Sequence, residues 1–187
     1  DMVGAFAAGE SVAVLAEGYW PAIQGLKALE IEWDNGGNET VSSDKIFAQF
    51  DADISAAQNR GTDSLVGNAD DVFANAATII SADYRVPYLA HTCMEPLNAT
   101  AEVKDGRCEL WIGCQNPLGF RQAVADALEI DAENVTVHNQ FMGGGFGRKA
   151  RPDYAIQAAL VAERAGRPVQ LIWSREEDVR QDFYRPA

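Results

Sequence analysis

VTVHNQFMGGGFGRKARPDYAIQAALVAERAGRPVQLIW, residues 135–173, carries the decision about the fold. Val135–His138 alternates as a short strand, and Met142–Gly147 places four glycines in five residues. Pro152–Ala165 has helical spacing that turns Tyr154, Ile156, Ala159, Leu160 and Ala162 inward, with Gly166 as its stop. Val169–Trp173 is a second strand. Strand, glycine turn, helix, strand is also the plan of a dinucleotide-binding unit. Gly145-x-Gly147-x-x-Ala150 fits the relaxed glycine fingerprint of an NAD(P)-dependent dehydrogenase domain. Against that reading, Asn139–Met142 separates the first strand from the glycines, whereas a dinucleotide turn follows its strand at once. Strand order separates the two readings: a dinucleotide site requires 135–138 and 169–173 to be parallel neighbours.

Further from that stretch the elements mix without strict alternation. Asn98–Val103 and Cys108–Gly113 flank Lys104-Asp105-Gly106-Arg107, a hairpin signal with Asp-Gly at its tip. Asn116-Pro117 opens a helix running through Leu128. Ser174, with Glu177 three residues on, is a capping box for another helix. Towards the N-terminus, Thr78–Val86 reads as a strand, residues 69–74 as a short helix and Ser43–Phe50 as a weak one. Ser11–Ala16, Tyr19–Leu29 and Ile31–Trp33 read as a small β-α-β unit stopped by the turn at residues 34–37. The expected class is α+β, with a mixed sheet and packed helices. The expected division is residues 1–37, a linker over 38–68 that is most open at 51–68, and a second domain over 69–187.

Composition narrows the function. Of the 187 residues, 47% are hydrophobic, enough for a packed core. The net charge of −13 argues against nucleic acid as a partner. Residues 1–80 carry 3 basic and 13 acidic side chains, and residues 81–187 carry 12 and 15, so an anionic ligand is least opposed in the second part. No apolar run is long enough to span a membrane. Cys93, Cys108 and Cys114 form no CxxC pair and read as small buried hydrophobes. The chain starts at Asp1 and stops in mid-stride at Arg185-Pro186-Ala187. It reads as a piece of a longer protein whose address, cytoplasm or periplasm, is written elsewhere.

Three segments carry candidate chemistry. At Gly143–Gly147 missing side chains let main chain approach a ligand closely, and a helix start directly after the loop would add free N–H groups. Arg148, Lys149 and Arg151 follow as cations. Gly113-Cys114-Gln115-Asn116-Pro117 places an amide at a helix entry; it is either a cap or a group that holds an oxo or carbonyl oxygen. His91 and Glu95, four apart, read as part of a structural turn, because Pro96 denies them one helical face. His138 reads as a core histidine. No GxSxG or HExxH is present, so hydrolytic chemistry has no support. A non-catalytic interaction module, docking through the acidic N-terminal part, is a third reading.

In order along the chain, these segments resemble the large, molybdopterin-binding subunit of the xanthine dehydrogenase/aldehyde oxidase superfamily, in the wording of its isoquinoline 1-oxidoreductase β-subunit branch. GGGFGRK at Gly143–Lys149 resembles that family's MGGGFGxK loop, and CQNP at Cys114–Pro117 its TQNP-type segment. Ala90–Val103 and Gly166–Ala187 resemble the matching stretches, and Val12–Asp34 resembles the end of the small hammerhead domain preceding the first molybdopterin-binding domain.

The resemblance implies a parent enzyme that inserts water-derived oxygen into an N-heterocycle or oxidises an aldehyde. Its cofactor would be a molybdenum-molybdopterin, in the cytosine dinucleotide form. Its electrons would leave through 2Fe-2S clusters on a small partner subunit. By the same resemblance Gln115 matches a glutamine that bonds an oxo ligand of the metal. Phe146 and Gly147 match a pair whose backbone approaches the metal ligands and pterin, and Gly143, Gly144 and Gly145 allow that approach. Purine-oxidising relatives carry glutamate where Ala150 stands, which points to an aldehyde or a less polar heterocycle. Arg148 departs from the glycine of those relatives. The family's glutamate base lies outside the chain, so this piece alone is expected to hold no cofactor tightly and to be inactive.

Overall fold

The computed structural model describes residues 2–8, 11–56 and 66–185. They form two compact units, residues 1–31 with 89–185 and residues 32–88.

The larger unit is built on a four-stranded sheet. β3 (Asn98–Lys104) and β4 (Arg107–Ile112) form the expected hairpin, with Asp105 and Gly106 both at positive φ as a tight primed turn requires. β5 (Val135–Asn139) pairs parallel to β4, and β6 (Val169–Ile172) pairs antiparallel to β3. The order is β5-β4-β3-β6, a mixed sheet of the expected α+β kind. β5 and β6 are therefore opposite edges with two strands between them. A dinucleotide crossover needs them side by side, so the NAD(P) reading of Gly145, Gly147 and Ala150 is rejected.

Two helices cover one face of the sheet. α4 (Pro117–Leu128) starts where Asn116 Oδ1 accepts from Gly119 N–H, with Pro117 in the first turn. It buries Phe120, Val124, Ala125 and Leu128. α5 (Asp153–Ala165) buries Tyr154, Ala155, Ala158, Ala159, Val161 and Ala162. Its inward face is thus centred one residue away from the expected one, and Ile156 and Leu160 are only partly covered. The buried residues of β3 are Ala99 and Ala101, so small side chains meet small side chains and the helix beds closely on the strand. Phe120 and Tyr154 meet edge to face at 5.7 Å, and Tyr154 donates its hydroxyl to Gly113 O at 2.9 Å. Cys93, Cys108 and Cys114 are all buried free thiols, as expected; burial pushes Cys108 up to about 11.

The N-terminus departs from its sequence reading. β1 (Met2–Ala8) pairs antiparallel with β2 (Ser11–Ala16), and α1 (Tyr19–Lys27) follows. Ile31–Trp33 is not a strand. The expected β-α-β unit is therefore a hairpin followed by a helix, with β1 rather than the later segment as the partner of β2. Ala13 and Leu15 of β2 pack on the core, and Gln157 of α5 links Ser11 to the Trp173 indole.

In the smaller unit α2 spans Ser43–Ala56 and α3 Ala69–Ala74. The expected linker over 51–68 is thus helical through Ala56, and its residues 57–65 lie outside the described ones. Thr78–Val86 forms no strand; its apolar residues Ile80 and Tyr84 are exposed, and no strand among the described residues supplies a ladder. Back in the larger unit, α6 (Arg175–Arg180) opens as expected with Ser174 Oγ accepting from Glu177 N–H.

Candidate functional site

Two chain crossings meet beyond the C-terminal ends of β4 and β5. The first is Gly113–Asn116, between β4 and α4. The second is Phe141–Lys149, after β5. They are tied at both ends: Gln140 N–H donates to Ile112 O at 2.9 Å, and Gln115 N–H donates to Lys149 O at 2.9 Å. Between those ties Gln115 Oε1 accepts from the Gly147 N–H at 3.0 Å. Because an N–H needs an acceptor, this contact fixes the amide's orientation, with the oxygen rather than Nε2 towards the Gly147 N–H. Nε2 has no protein acceptor among the described residues.

The glycines are required by geometry. Gly147 sits at φ +101, a conformation that L side chains rarely adopt. A Cβ on Gly145 would lie 2.6 Å from Gln115 Oε1, so a side chain there collides with the amide. Phe146, with φ 51, is held in the left-handed region despite its bulk, and its ring is 65% exposed. Among the described residues the N–H groups of Gly144, Gly145 and Phe146 donate to nothing in the chain. The loop thus leaves three consecutive main-chain N–H groups without a partner, at a half-buried Gly144, a buried Gly145 and an exposed Phe146, beside an oriented amide.

Beneath the loop the structure is ionic. Arg148 and Lys149 are each 1% exposed. Lys149 Nζ pairs with Glu95 Oε2, which also accepts from Gly143 N–H at 2.8 Å. Arg148 forks onto Asp153, with Nη1–Oδ1 at 2.9 Å and Nη2–Oδ2 at 2.7 Å. Its Nε lies 3.0 Å from Asp182 Oδ1, an ion-pair contact without hydrogen-bond alignment. Trp173 and Phe183 rings flank its guanidinium at 5.6 and 5.0 Å. Asp182 also takes the His91 N–H and stands 3.1 Å from His91 Nδ1. Burial opposes ionisation of Glu95, but Lys149, the Gly143 N–H and Asn98 outweigh it and hold the carboxyl below its ordinary value. For Asp178, burial dominates and pushes the carboxyl up despite Arg175.

The profile of the molybdopterin cofactor-binding domain family matches residues 53–187. This chain belongs to that family. It is 34% identical, over 93% of its length, to the membrane-bound aldehyde dehydrogenase [pyrroloquinoline-quinone] of Gluconacetobacter polyoxogenes, covering 23% of that protein. It is 33% identical to isoquinoline 1-oxidoreductase subunit beta of Brevundimonas diminuta, over 65% of this chain and 16% of that one. With the aldehyde oxidoreductase molybdenum-binding subunit of Escherichia coli K12 it shares 38% identity, over 67% of this chain and 17% of the relative. The chain thus spans less than a quarter of the length of these relatives. Among solved structures, quinoline 2-oxidoreductase from Pseudomonas putida 86 superposes with a TM-score of 0.53 at 25% identity, over 68% of this chain and 18% of that one. Aldehyde oxidoreductase from Desulfovibrio gigas shares the fold, with a TM-score of 0.56 at 24% identity over 64% and 13% of the two chains.

Seen as a molybdopterin cofactor-binding domain, the chain brings Gln115 together with Gly143, Gly144, Gly145, Phe146 and Gly147, all six expected site residues. Three expectations about their surroundings need correction. The loop does not run straight into a helix N-terminus: a 3-10 turn at Arg148–Ala150 intervenes and α5 starts only at Asp153. Arg148 and Lys149 are not free for an anion, because both are buried and paired inside; Arg151 is exposed and lies over Phe183. His138 is no core histidine: it stacks on Trp111 at 5.0 Å and pairs with a half-exposed Glu109 on the open face of the sheet. Asp153 and Asp182 gave no sequence signal, since their partners lie on other elements or are reached only through the loop's fold.

Proposed function

We propose that this chain forms the cofactor-facing floor of the large subunit of a molybdenum hydroxylase that oxidises an aldehyde or hydroxylates an N-heterocycle. The observation that carries the reading is the Gln115–Gly147 clasp beside a loop with three N–H groups that donate to nothing among the described residues, where a Cβ on Gly145 would displace the Gln115 amide. Such a surface fits a flat, oxygen-rich group that must come within contact distance of main chain. Gln115 Nε2 would donate to an oxygen of the cofactor, and the loop N–H groups would face its remaining acceptors. When bound, a molybdenum-molybdopterin supplies oxygen-atom insertion with water as the oxygen source. The chain's own residues position it: Gln115 orients one oxygen, and Phe146 and Gly147 set how near the backbone comes.

In this reading residues 1–37 are the end of a hammerhead-like domain, 38–68 connect it, and 69–187 are part of the first molybdopterin-binding domain. The pterin is the cytosine dinucleotide form, a 2Fe-2S subunit takes the electrons, and the rest of the large subunit closes the site. The 187-residue chain by itself binds no cofactor tightly and turns over no substrate. Ala150, which has no polar group to grip a purine, favours an aldehyde or an apolar heterocycle.

The test is metal and pterin analysis of the full-length subunit purified with its partners. About one molybdenum and one cytidine monophosphate released per subunit are expected. A preparation that is active without molybdenum, or that holds a quinone in its place, would defeat the proposal.

A further inference from the structure

We infer that Glu95 is the positioning residue that sets the shape of the glycine loop, and through it the grip on whatever docks there. This rests on the loop being the cofactor cradle proposed above.

The loop is anchored from one side by a single short segment, Cys93–Glu95. Glu95 N–H donates to Gly143 O at 3.1 Å, and Glu95 Oε2 accepts from Gly143 N–H at 2.8 Å, a reciprocal pair at the loop's first glycine. The same Oε2 takes the Lys149 ammonium at the loop's last residue. Glu95 Oε1 accepts from Asn98 Nδ2 at 3.1 Å, which stops the carboxylate from rotating. Two residues earlier, Cys93 Sγ donates to Gly145 O at 3.4 Å in the middle of the loop. The segment is itself held from α6, where Arg175 donates to Cys93 O and to Met94 O.

One carboxylate therefore joins both ends of the Gly143–Lys149 loop. Fit is tight: a Cβ on Gly143 would lie 2.5 Å from Glu95 Cβ. The arrangement is also intolerant of half-measures. Lys149 is 1% exposed, so loss of Glu95 strands a buried cation, which must move out and drag the loop's end with it. Among the described residues Glu95 makes no hydrogen bond to Gln115, Phe146 or Gly147. Its effect on a ligand passes through the loop, as supporting carboxylates act at other cofactor sites.

The experiment uses the full-length subunit with its partners and three variants, Glu95→Gln, Lys149→Met and the pair together. Glu95→Gln keeps an acceptor for Gly143 N–H but strands Lys149; the double variant removes both charges. The first readout is hydrogen–deuterium exchange of the peptide over residues 142–149, with α5 as the internal reference for folding. Faster exchange of that peptide is expected in each single variant, with α5 unchanged and protection largely regained in the double variant. The second readout is molybdenum content at limiting cofactor supply, which is expected to fall on the order of tenfold in Glu95→Gln and to recover in the double variant. Unchanged loop exchange in Glu95→Gln, or a double variant no better than the singles, overturns the inference. Absence of molybdenum from the wild-type subunit sinks the proposed function instead, and the exchange data still judge Glu95.

Discussion

Gln115 and Gly147 are 32 positions apart, and the amide oxygen of the first accepts the backbone N–H of the second at 3.0 Å. The contact uses one half of the amide and leaves Nε2 without an acceptor among the described residues, so the two halves can be tested apart. Gln115→Ala removes both. Gln115→Glu keeps an acceptor for Gly147 but loses the donor. Both variants are expected to stay folded, losing about 1 kcal/mol or less, since Gln115 is exposed. In the assembled enzyme both should cut kcat by roughly 10–100-fold, if the donor is what the cofactor needs. Wild-type turnover in Gln115→Glu would show that only the clasp matters.

Gly145 is predicted to separate folding from loading. A methyl group there meets the Gln115 side chain at 2.6–3.1 Å, and that side chain can swing towards solvent. Gly145→Ala should therefore cost about 1–3 kcal/mol in urea unfolding of the 187-residue chain. In the whole subunit it should abolish most molybdenum loading, because the displaced amide fills the cradle. Metal analysis beside the unfolding curve checks both halves.

The hairpin turn and the caps at Asn116 and Ser174 were legible because each is written in local residue types, whereas the strand order was not, and the convergence of Gln115 with the glycine loop was expected only from the family resemblance. Asp-Gly demands its turn, and glycine marks where main chain must come close. The support under the loop was not legible. Lys149 looks like any surface lysine until the fold buries it against Glu95, which stands 54 positions earlier. Asp182 reads as a polar residue after a helix, yet it is shared by His91 and Arg148. Long-range ion pairs have no sequence period, so pattern reading has nothing to grip. The missed strand β1 is a different case: MVGAFAA lacks the polar alternation that marks a half-buried strand.

The acid side of the stability curve should report on Glu95. Its folded carboxyl is held below the ordinary value of 4.5 by Lys149, Gly143 and Asn98, which together outweigh burial. A depressed carboxyl contributes stability that is complete above the unfolded value and is lost as pH falls through the folded one. Glu95→Gln should therefore destabilise the chain most near pH 7, with the gap to wild type closing below pH 4.5. Asp178 works in the opposite sense: burial raises it, so its protonation on acidification relieves a cost and blunts the wild-type loss. Urea melts of both proteins at stepped pH check the sign, and a gap that widens on acidification would refute it.

Arg148 is where the largest single loss of stability is expected. Its guanidinium is buried, forks onto Asp153, lies against Asp182, and sits 5.6 and 5.0 Å from the Trp173 and Phe183 ring centres. Arg148→Met keeps most of the volume but leaves the Asp182 carboxylate, 1% exposed, without its cation. Breaking one side of a buried pair costs about 3–5 kcal/mol, towards the lower end here because Asp153 is partly solvated. Arg148→Lys should recover little, since a single ammonium cannot reproduce the two parallel bonds to Asp153 or a flat guanidinium's contact with two rings. If Arg148→Lys unfolds at the wild-type urea concentration, the fork is not what holds the loop's exit in place, and the charge alone suffices.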